Sequence, residues 1–197
     1  MNVVMLGRPG AGKGTQSKSI ASQRGLRHLS TGELLRTAKQ QDTPLGRRIA
    51  QRIDAGDFVT DELAMSLVEQ AMQSPSQLGY VFDGIPRTLG QDSLLSDSLA
   101  KLGNKIDLAI LLDVGEETVR NRLLNRAAIE GRHDDTVETI GHRLAVYETE
   151  TSPLVDCYRQ QGVLRSIDGS GTPEDVLCLV LAALDEMTPG EAALNAI

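Results

Sequence analysis

The chain has 197 residues, enough for one domain with a substantial core and small inserted lobes. Its formal charge of -7, with no Trp, two Phe and three Tyr, argues against a nucleic-acid surface, which needs a basic face and stacking rings. No apolar run is long enough to span a membrane, and the N-terminus enters a strand without a signal-peptide pattern, so the expectation is a cytoplasmic protein, and a monomer, with no membrane or nucleic-acid partner.

The first element is a strand, Val3 to Leu6, leading into G-R-P-G-A-G-K-G-T at Gly7 to Thr15 and then into a helix over 13 to 24 that Gly25 ends. Strand, glycine turn and helix are the context of a phosphate-binding loop. The glycines let successive N–H groups converge on one anion, the helix adds its positive end, and Lys13 adds a full charge. Arg27 to Leu29 reads as a second strand. Thr31 then stands where a helix N-cap would, with Leu34 and Leu35 beginning an apolar face. Thr43-Pro44 opens a helix to about Asp54, Gly56 to Val59 is a turn, and Asp61 caps a helix with apolar positions 63, 67, 68, 71 and 72. Residues 30 to 59 thus read as a small helical insertion.

Gly79 to Asp83 is a short buried strand ending in an acid. Ligands of a doubly wound sheet gather at the carboxyl ends of parallel strands, and an acid there suits the water shell of a phosphate-bound Mg2+. Asp83 is therefore the expected metal-side carboxylate. Thr88 to Leu102 is the next helix, with Gln91 in its first turn. Asp107 to Val114, apolar throughout 108 to 112, is the central strand. Glu116 to Arg126 is helical and sets Arg122 and Arg126 on one face. Residues 127 to 136, carrying Gly131, Arg132, Asp134 and Asp135, have little to bury. A long helix over 137 to 161 bears Arg143, Val163 to Ile167 is the last strand, and Asp168 to Gly171 is a glycine turn. Thr172-Pro173 opens a final helix whose positions 176, 177, 180, 181 and 184 face inward, and the tail from about Pro189 frays. Strands alternating with helices predict an α/β fold around a five-stranded parallel sheet with helices on both faces. Cys157 and Cys178 lack metal or redox spacing and read as buried thiols, and His28, His133 and His142 share no ligand spacing.

The strict phosphate-loop signature places Ser or Thr directly after the lysine, whereas Gly14 intervenes here and Thr15 follows. G-x-P-G-x-G-K-G-T is the pattern of the nucleoside monophosphate kinases. Four segments in the same order resemble adenylate kinase: the loop at 7 to 15, H-L-S-T-G-E-L-L-R at 28 to 36, F-D-G-I-P-R-T at 82 to 88, and R-L-L-N-R through G-R-H-D-D at 122 to 135. The resemblance covers residues 1 to about 186. It implies a P-loop three-layer fold as one kinase domain, 1 to 197, with an NMP-binding lobe at 30 to 59 and a lid of the short kind at 126 to 136. Glu33 stands where the family often has Asp, and Thr60 where it often has Pro or Ser.

What the resemblance implies for function is reversible, Mg2+-dependent phosphoryl transfer, ATP + AMP ⇌ 2 ADP. Gly10, Ala11, Gly12, Lys13, Gly14 and Thr15 would hold the ATP phosphates, with Arg122, Arg126 and the backbone at Gly171 beside ATP. AMP contacts would come from Thr31, Arg36, Asp57, Phe58, Val59, Gly84, Ile85, Pro86, Arg87 and Gln91. Arg132 and Arg143 would bridge toward the transferred group, and the implied catalytic set is Lys13, Arg87, Arg126, Arg132 and Arg143. No cysteine lies in the lid, so no zinc is expected. The physical need for the cations is independent of the resemblance: two polyanions must be brought together in line, on an acidic protein, by positioning and electrostatics. A UMP/CMP kinase would share most of these residues, and a non-catalytic nucleotide sensor would share the loop. Thr31 and Gln91 favour adenine, and a GTPase would carry an N-K-x-D stretch that is missing here.

Overall fold

The computed structural model describes residues 1–73, 76, 78–130 and 136–187. Five strands, β1 (Asn2–Leu6), β2 (Arg27–Ser30), β3 (Tyr80–Asp83), β4 (Leu108–Asp113) and β5 (Leu164–Asp168), form one sheet in the order β2-β3-β1-β4-β5. Every neighbouring pair is parallel. The expected α/β fold with five parallel strands is therefore what the chain adopts, but β1, not the strand expected at 107 to 114, stands at the centre of the sheet. Register aligns Met5 and Ser30 with Asp83, so the phosphate loop and the chain leaving β2 emerge beside one another at the carboxyl edge.

Alternation along β1 and β4 feeds two separate cores. Val3, Met5, Leu108 and Ile110 face α1 (Lys13–Arg24) and α9 (Pro173–Met187), together with Val119 and Leu123 of α6 (Glu116–Glu130) and Ile140 and Leu144 of α7 (Val137–Val146). Val4, Leu6 and Ala109 face α4 (Asp61–Met72), α5 (Leu89–Lys101) and α8 (Ser152–Gln160). Two short helices, α2 (Thr31–Lys39) and α3 (Pro44–Ala55), lie between β2 and α4.

Several boundaries differ from the sequence expectation. Ser30, not Thr31, is the N-cap of α2, its hydroxyl accepting from the Glu33 N–H at 3.4 Å. Thr60, not Asp61, caps α4 through the Leu63 N–H. In both cases a neighbouring hydroxyl takes the cap, which frees the second residue for a tertiary bond. Helix α6 runs on to Glu130, since Ala127 to Glu130 are good helix formers with no breaker before Gly131. The helix expected over 137 to 161 runs without a gap from Val137 to Gln160, but not in one register: a π turn over Tyr147–Thr151 joins α7 to α8, just ahead of Pro153. Strand β5 lies one residue later than expected. Cys178 is exposed and Cys157 only partly covered, because position 178 lies off the stripe of Val176, Val180 and Leu184 that α9 buries. Among the described residues no helix is long and apolar enough to cross a membrane. The tail from Pro189 and residues 131–135, including Arg132, lie outside the described residues.

Candidate active site

Strand β1 delivers the chain into the loop at 7–12, and α1 starts at Lys13. Gly7, Gly10 and Gly12 hold φ of 138°, 85° and 97°, a region that side-chain-bearing residues resist. Gly12 is the N-cap of α1 and supplies no side-chain acceptor. The first-turn N–H groups thus point toward the loop, an arrangement that receives an anion.

Lys13 donates to the Gly7 and Arg8 carbonyls at 2.7 and 3.0 Å, folding its ammonium back over the loop. Burial lowers its pKa to about 8, opposed by Asp83 and helped by Arg87 and Arg126. Asp83 closes β3 with its carboxylate against the first turn of α1: a Cβ on Gly14 would stand 3.4 Å from Oδ2. Burial alone would raise the Asp83 pKa, but His28, with Nε2 3.4 Å away, and the charges of Lys13 and Arg87 hold it below the ordinary carboxylate value. Asp83 is thus kept ionised beside a lysine. Arg122 reaches across from α6 to the Gly169 and Ser170 carbonyls at 3.0 and 3.2 Å, tying that helix to the glycine turn after β5.

On the other side stands the turn after β3. Thr31 is buried and donates to the Gly84 carbonyl at 2.7 Å. Gly84 has φ +78°, and a Cβ there would come within 2.8 Å of Thr31 Oγ1 and 2.9 Å of Arg87 Nη2. Only glycine allows that approach. Arg87 donates through Nε to the Gly84 carbonyl at 2.8 Å and lies over the Phe58 ring, Cζ 5.1 Å from its centroid. Burial lowers the Arg87 pKa, and the nearby charges of Arg143 and Arg36 lower it further against the pull of Asp83. The main chain of Arg87 is held at both ends by side chains. Its N–H donates to Gln91 Oε1 at 2.8 Å, and its carbonyl accepts from Thr151 Oγ1 at 2.8 Å. Gln91 is itself oriented by Asp61, which accepts from Gln91 Nε2 at 3.0 Å and from Thr88 Oγ1 at 2.9 Å.

These parts enclose one cleft of ≈ 760 Å³. One wall is Gly10 to Thr15 with Arg122, Arg126 and Gly171. The opposite wall is Thr31, Arg36, the Asp57 to Val59 turn, Gly84, Pro86, Arg87 and Gln91, and Asp83 and Arg143 stand between. Of the expected site residues within the described set, Ile85 alone does not line the cleft; its side chain is fully buried in the core, and the Ile85-Pro86 peptide is cis. Five cations from separate elements, Lys13, Arg36, Arg87, Arg126 and Arg143, therefore border a single space.

The family model described as adenylate kinase matches residues 5–163. The chain belongs to the adenylate kinase family. It is 42% identical over 187 residues to the adenylate kinase of Maricaulis maris, covering 94% of this chain and all of that one. To the adenylate kinase of Thermus thermophilus it is 42% identical over 182 residues, 92% of this chain and 96% of the other. The Caulobacter vibrioides adenylate kinase is 40% identical over 191 residues, 96% and 100% of the two chains.

Within this adenylate kinase fold, the sequence reading missed residues that border the cleft from the π turn that follows α7. Tyr147 and Thr151 both line it, and Gln16 lines it as well while donating to the Pro173 carbonyl at 2.9 Å. Pro153 was the available signal for the first two, since a proline inside a helical pattern disturbs the turn before it. Nothing in the periodicity marks Gln16. No group of three or more His, Cys, Asp or Glu residues placed to hold a metal occurs among the described residues.

Proposed function

We infer that this chain catalyses ATP + AMP ⇌ 2 ADP. The observation that carries the reading is the convergence of Lys13, Arg36, Arg87, Arg126 and Arg143 on the one cleft that the phosphate loop lines, in a chain of the adenylate kinase family. The loop from Gly10 to Thr15 takes the ATP phosphates on its N–H groups and on Lys13, while Arg122, Arg126 and Gly171 border the rest of ATP. Arg36 and Arg87 take the AMP phosphate, and the turn at 57–59 with Thr31 and Gln91 borders its base. Arg143, with Arg132 from the lid at 126–136, neutralises charge on the transferred group. A largely dissociative transfer needs alignment and charge stabilisation rather than a protein base, and the acceptor phosphate supplies its own attacking oxygen.

The chemistry at Asp83 fits Mg2+: an ionised carboxylate faces the first turn of α1, and an oxygen ligand of this kind suits a hard cation. When bound with ATP, Mg2+ neutralises phosphate charge, with Asp83 holding its water shell. The Thr31 hydroxyl donates to the Gly84 carbonyl, so its oxygen is left to act as an acceptor, which suits the exocyclic amino group of adenine. We further propose that residues 30–59 and 126–136 act as a lobe and a lid on a single kinase domain, and that the protein works as a cytoplasmic monomer.

A coupled assay with ATP and AMP, CMP or UMP tests the reading. AMP is expected to give the highest kcat/KM. A preference for UMP, which lacks the amino group, overturns the acceptor assignment, and absence of turnover with every monophosphate overturns the enzyme reading.

A further inference from the structure

Helices α7 and α8 belong to different cores. Ile140 and Leu144 pack on one face of the sheet, whereas Leu154 and Tyr158 pack on the other. The π turn Tyr147–Thr151 is where the chain passes between them, and it does so beside the cleft, which Tyr147 and Thr151 both line. Such turns are frequent at functional positions.

The local sequence accounts for the change of register. Pro153 has no N–H and its ring crowds the preceding turn, so α geometry cannot continue through it. The Ser152 N–H turns instead to the Tyr147 carbonyl, an i to i+5 bond. That leaves the Glu148 carbonyl without its usual partner, and the Ser152 hydroxyl donates to it at 2.5 Å. Thr149 Oγ1 donates likewise to the Ala145 carbonyl at 3.2 Å. Thr149, Ser152 and Pro153 thus encode the turn.

Two side chains of this turn brace different parts of the site, Thr151 directly and Glu148 through Arg8. Thr151, buried, donates to the Arg87 carbonyl at 2.8 Å, fixing the main chain from which the Arg87 guanidinium departs. Glu148 accepts from Arg8 Nε and Nη2 at 2.9 and 2.8 Å, and Arg8 Nη1 donates to the Val114 carbonyl at 3.2 Å. Arg8 does not border the cleft, but its carbonyl receives Lys13 Nζ, so holding Arg8 holds the phosphate loop from behind.

We propose that the π turn is a positioning element for both substrates: Thr151 sets the Arg87 loop on the acceptor side, and Glu148 sets the phosphate loop on the donor side. This rests on the assignment of Arg87 to AMP and of residues 7–15 to ATP. Neither Thr151 nor Glu148 touches the reacting atoms.

The experiment is steady-state kinetics of Thr151→Val, Thr151→Ser, Glu148→Gln and Arg87→Ala, each with its melting temperature. Loss of one such hydrogen bond predicts about a fivefold rise in the AMP KM for Thr151→Val, with the ATP KM within about twofold of the parent. Thr151→Ser, which keeps the hydroxyl, restores the AMP KM. Glu148→Gln raises the ATP KM and spares the AMP KM. If Thr151→Val shifts both KM values alike or neither, or if serine gives no rescue, the inference is overturned while an effect of Arg87→Ala on AMP leaves the functional reading standing. Should Arg87→Ala leave the AMP KM unchanged, the acceptor assignment falls and this inference with it.

Discussion

His142 Nε2 and Asp57 Oδ1 stand 2.7 Å apart, joining helix α7 to the turn that follows α3. That turn carries Phe58, over which Arg87 lies, and the residue after His142 is Arg143, so the bond couples two groups that border the cleft. Both side chains are substantially exposed, and such pairs contribute about 0.2–1 kcal/mol to stability. The expected result for His142→Ala is therefore a small change in melting temperature with a severalfold rise in the AMP KM. A double-mutant cycle with Asp57→Ala checks it: additive effects on that KM would show that the two residues act separately.

Lys13 gives a prediction with a definite pH sign. Burial brings its pKa from 10.5 down to about 8, a disfavoured charge worth roughly 3 kcal/mol against the unfolded chain. The unfolded state binds the proton more tightly, so the cost is complete below pH 8 and fades as pH rises from 8 to 10.5. Lys13→Met should cut turnover on the order of 10²–10³-fold, the scale for losing one preorganised donor, yet melt at a higher temperature than the parent at pH 7. The gap should narrow at pH 9 to 10. A variant that melts below the parent at pH 7 contradicts the account.

Gly84→Ala asks the backbone to keep a left-handed angle with a side chain and pushes Thr31 away from Arg87. The conformational cost alone is about 1–2 kcal/mol. Melting temperature should fall, and the AMP KM should rise much more than the ATP KM. Equal changes in the two would mean that Gly84 serves only the fold.

A separate pair bears on stability alone. Tyr158, fully buried on α8, donates its phenol to Asp92 on α5, whose pKa burial raises while that bond opposes the rise. Tyr158→Phe leaves a buried carboxylate short of a donor, at about 1–3 kcal/mol near neutral pH. Because burial shifts the Asp92 pKa upward, acidification neutralises it sooner than an ordinary carboxylate, and the deficit should shrink between neutral and acid pH. Denaturant titrations at both pH values measure this, with kcat expected to stay near the parent.

Much of the architecture was legible in the chain because its signals are local and strong. The apolar run at 108–112 specifies a strand covered on both faces, and the spaced glycines before Lys13 specify the loop and the start of α1. What escaped depended on competition between neighbours or on distant partners. Ser30 and Thr31 are both good caps, and only the position of the Gly84 carbonyl decides that Thr31 is used elsewhere. The same holds for Thr60 and Asp61, where Gln91 and Thr88 claim the carboxylate. Positions 140, 144, 147, 151, 154 and 158 keep a helical spacing throughout, so periodicity alone conceals that the helix changes cores at a π turn.

The gathering of cations around one cleft also bears on how the protein survives outside its reaction. Arg87 and Arg126 each weaken the hold of Lys13 on its proton, and Arg36 and Arg143 do the same to Arg87, so the folded chain stores like-charge repulsion at that spot. Any multivalent anion that enters relieves it, and folding and anion binding become linked. At a free concentration one hundred times its Kd, such an anion adds about 2.7 kcal/mol to the folded state. Resistance to heat and to proteases should accordingly follow the supply of phosphate compounds: a protein depleted of them opens more often, and one kept in their presence is preserved by its own ligands.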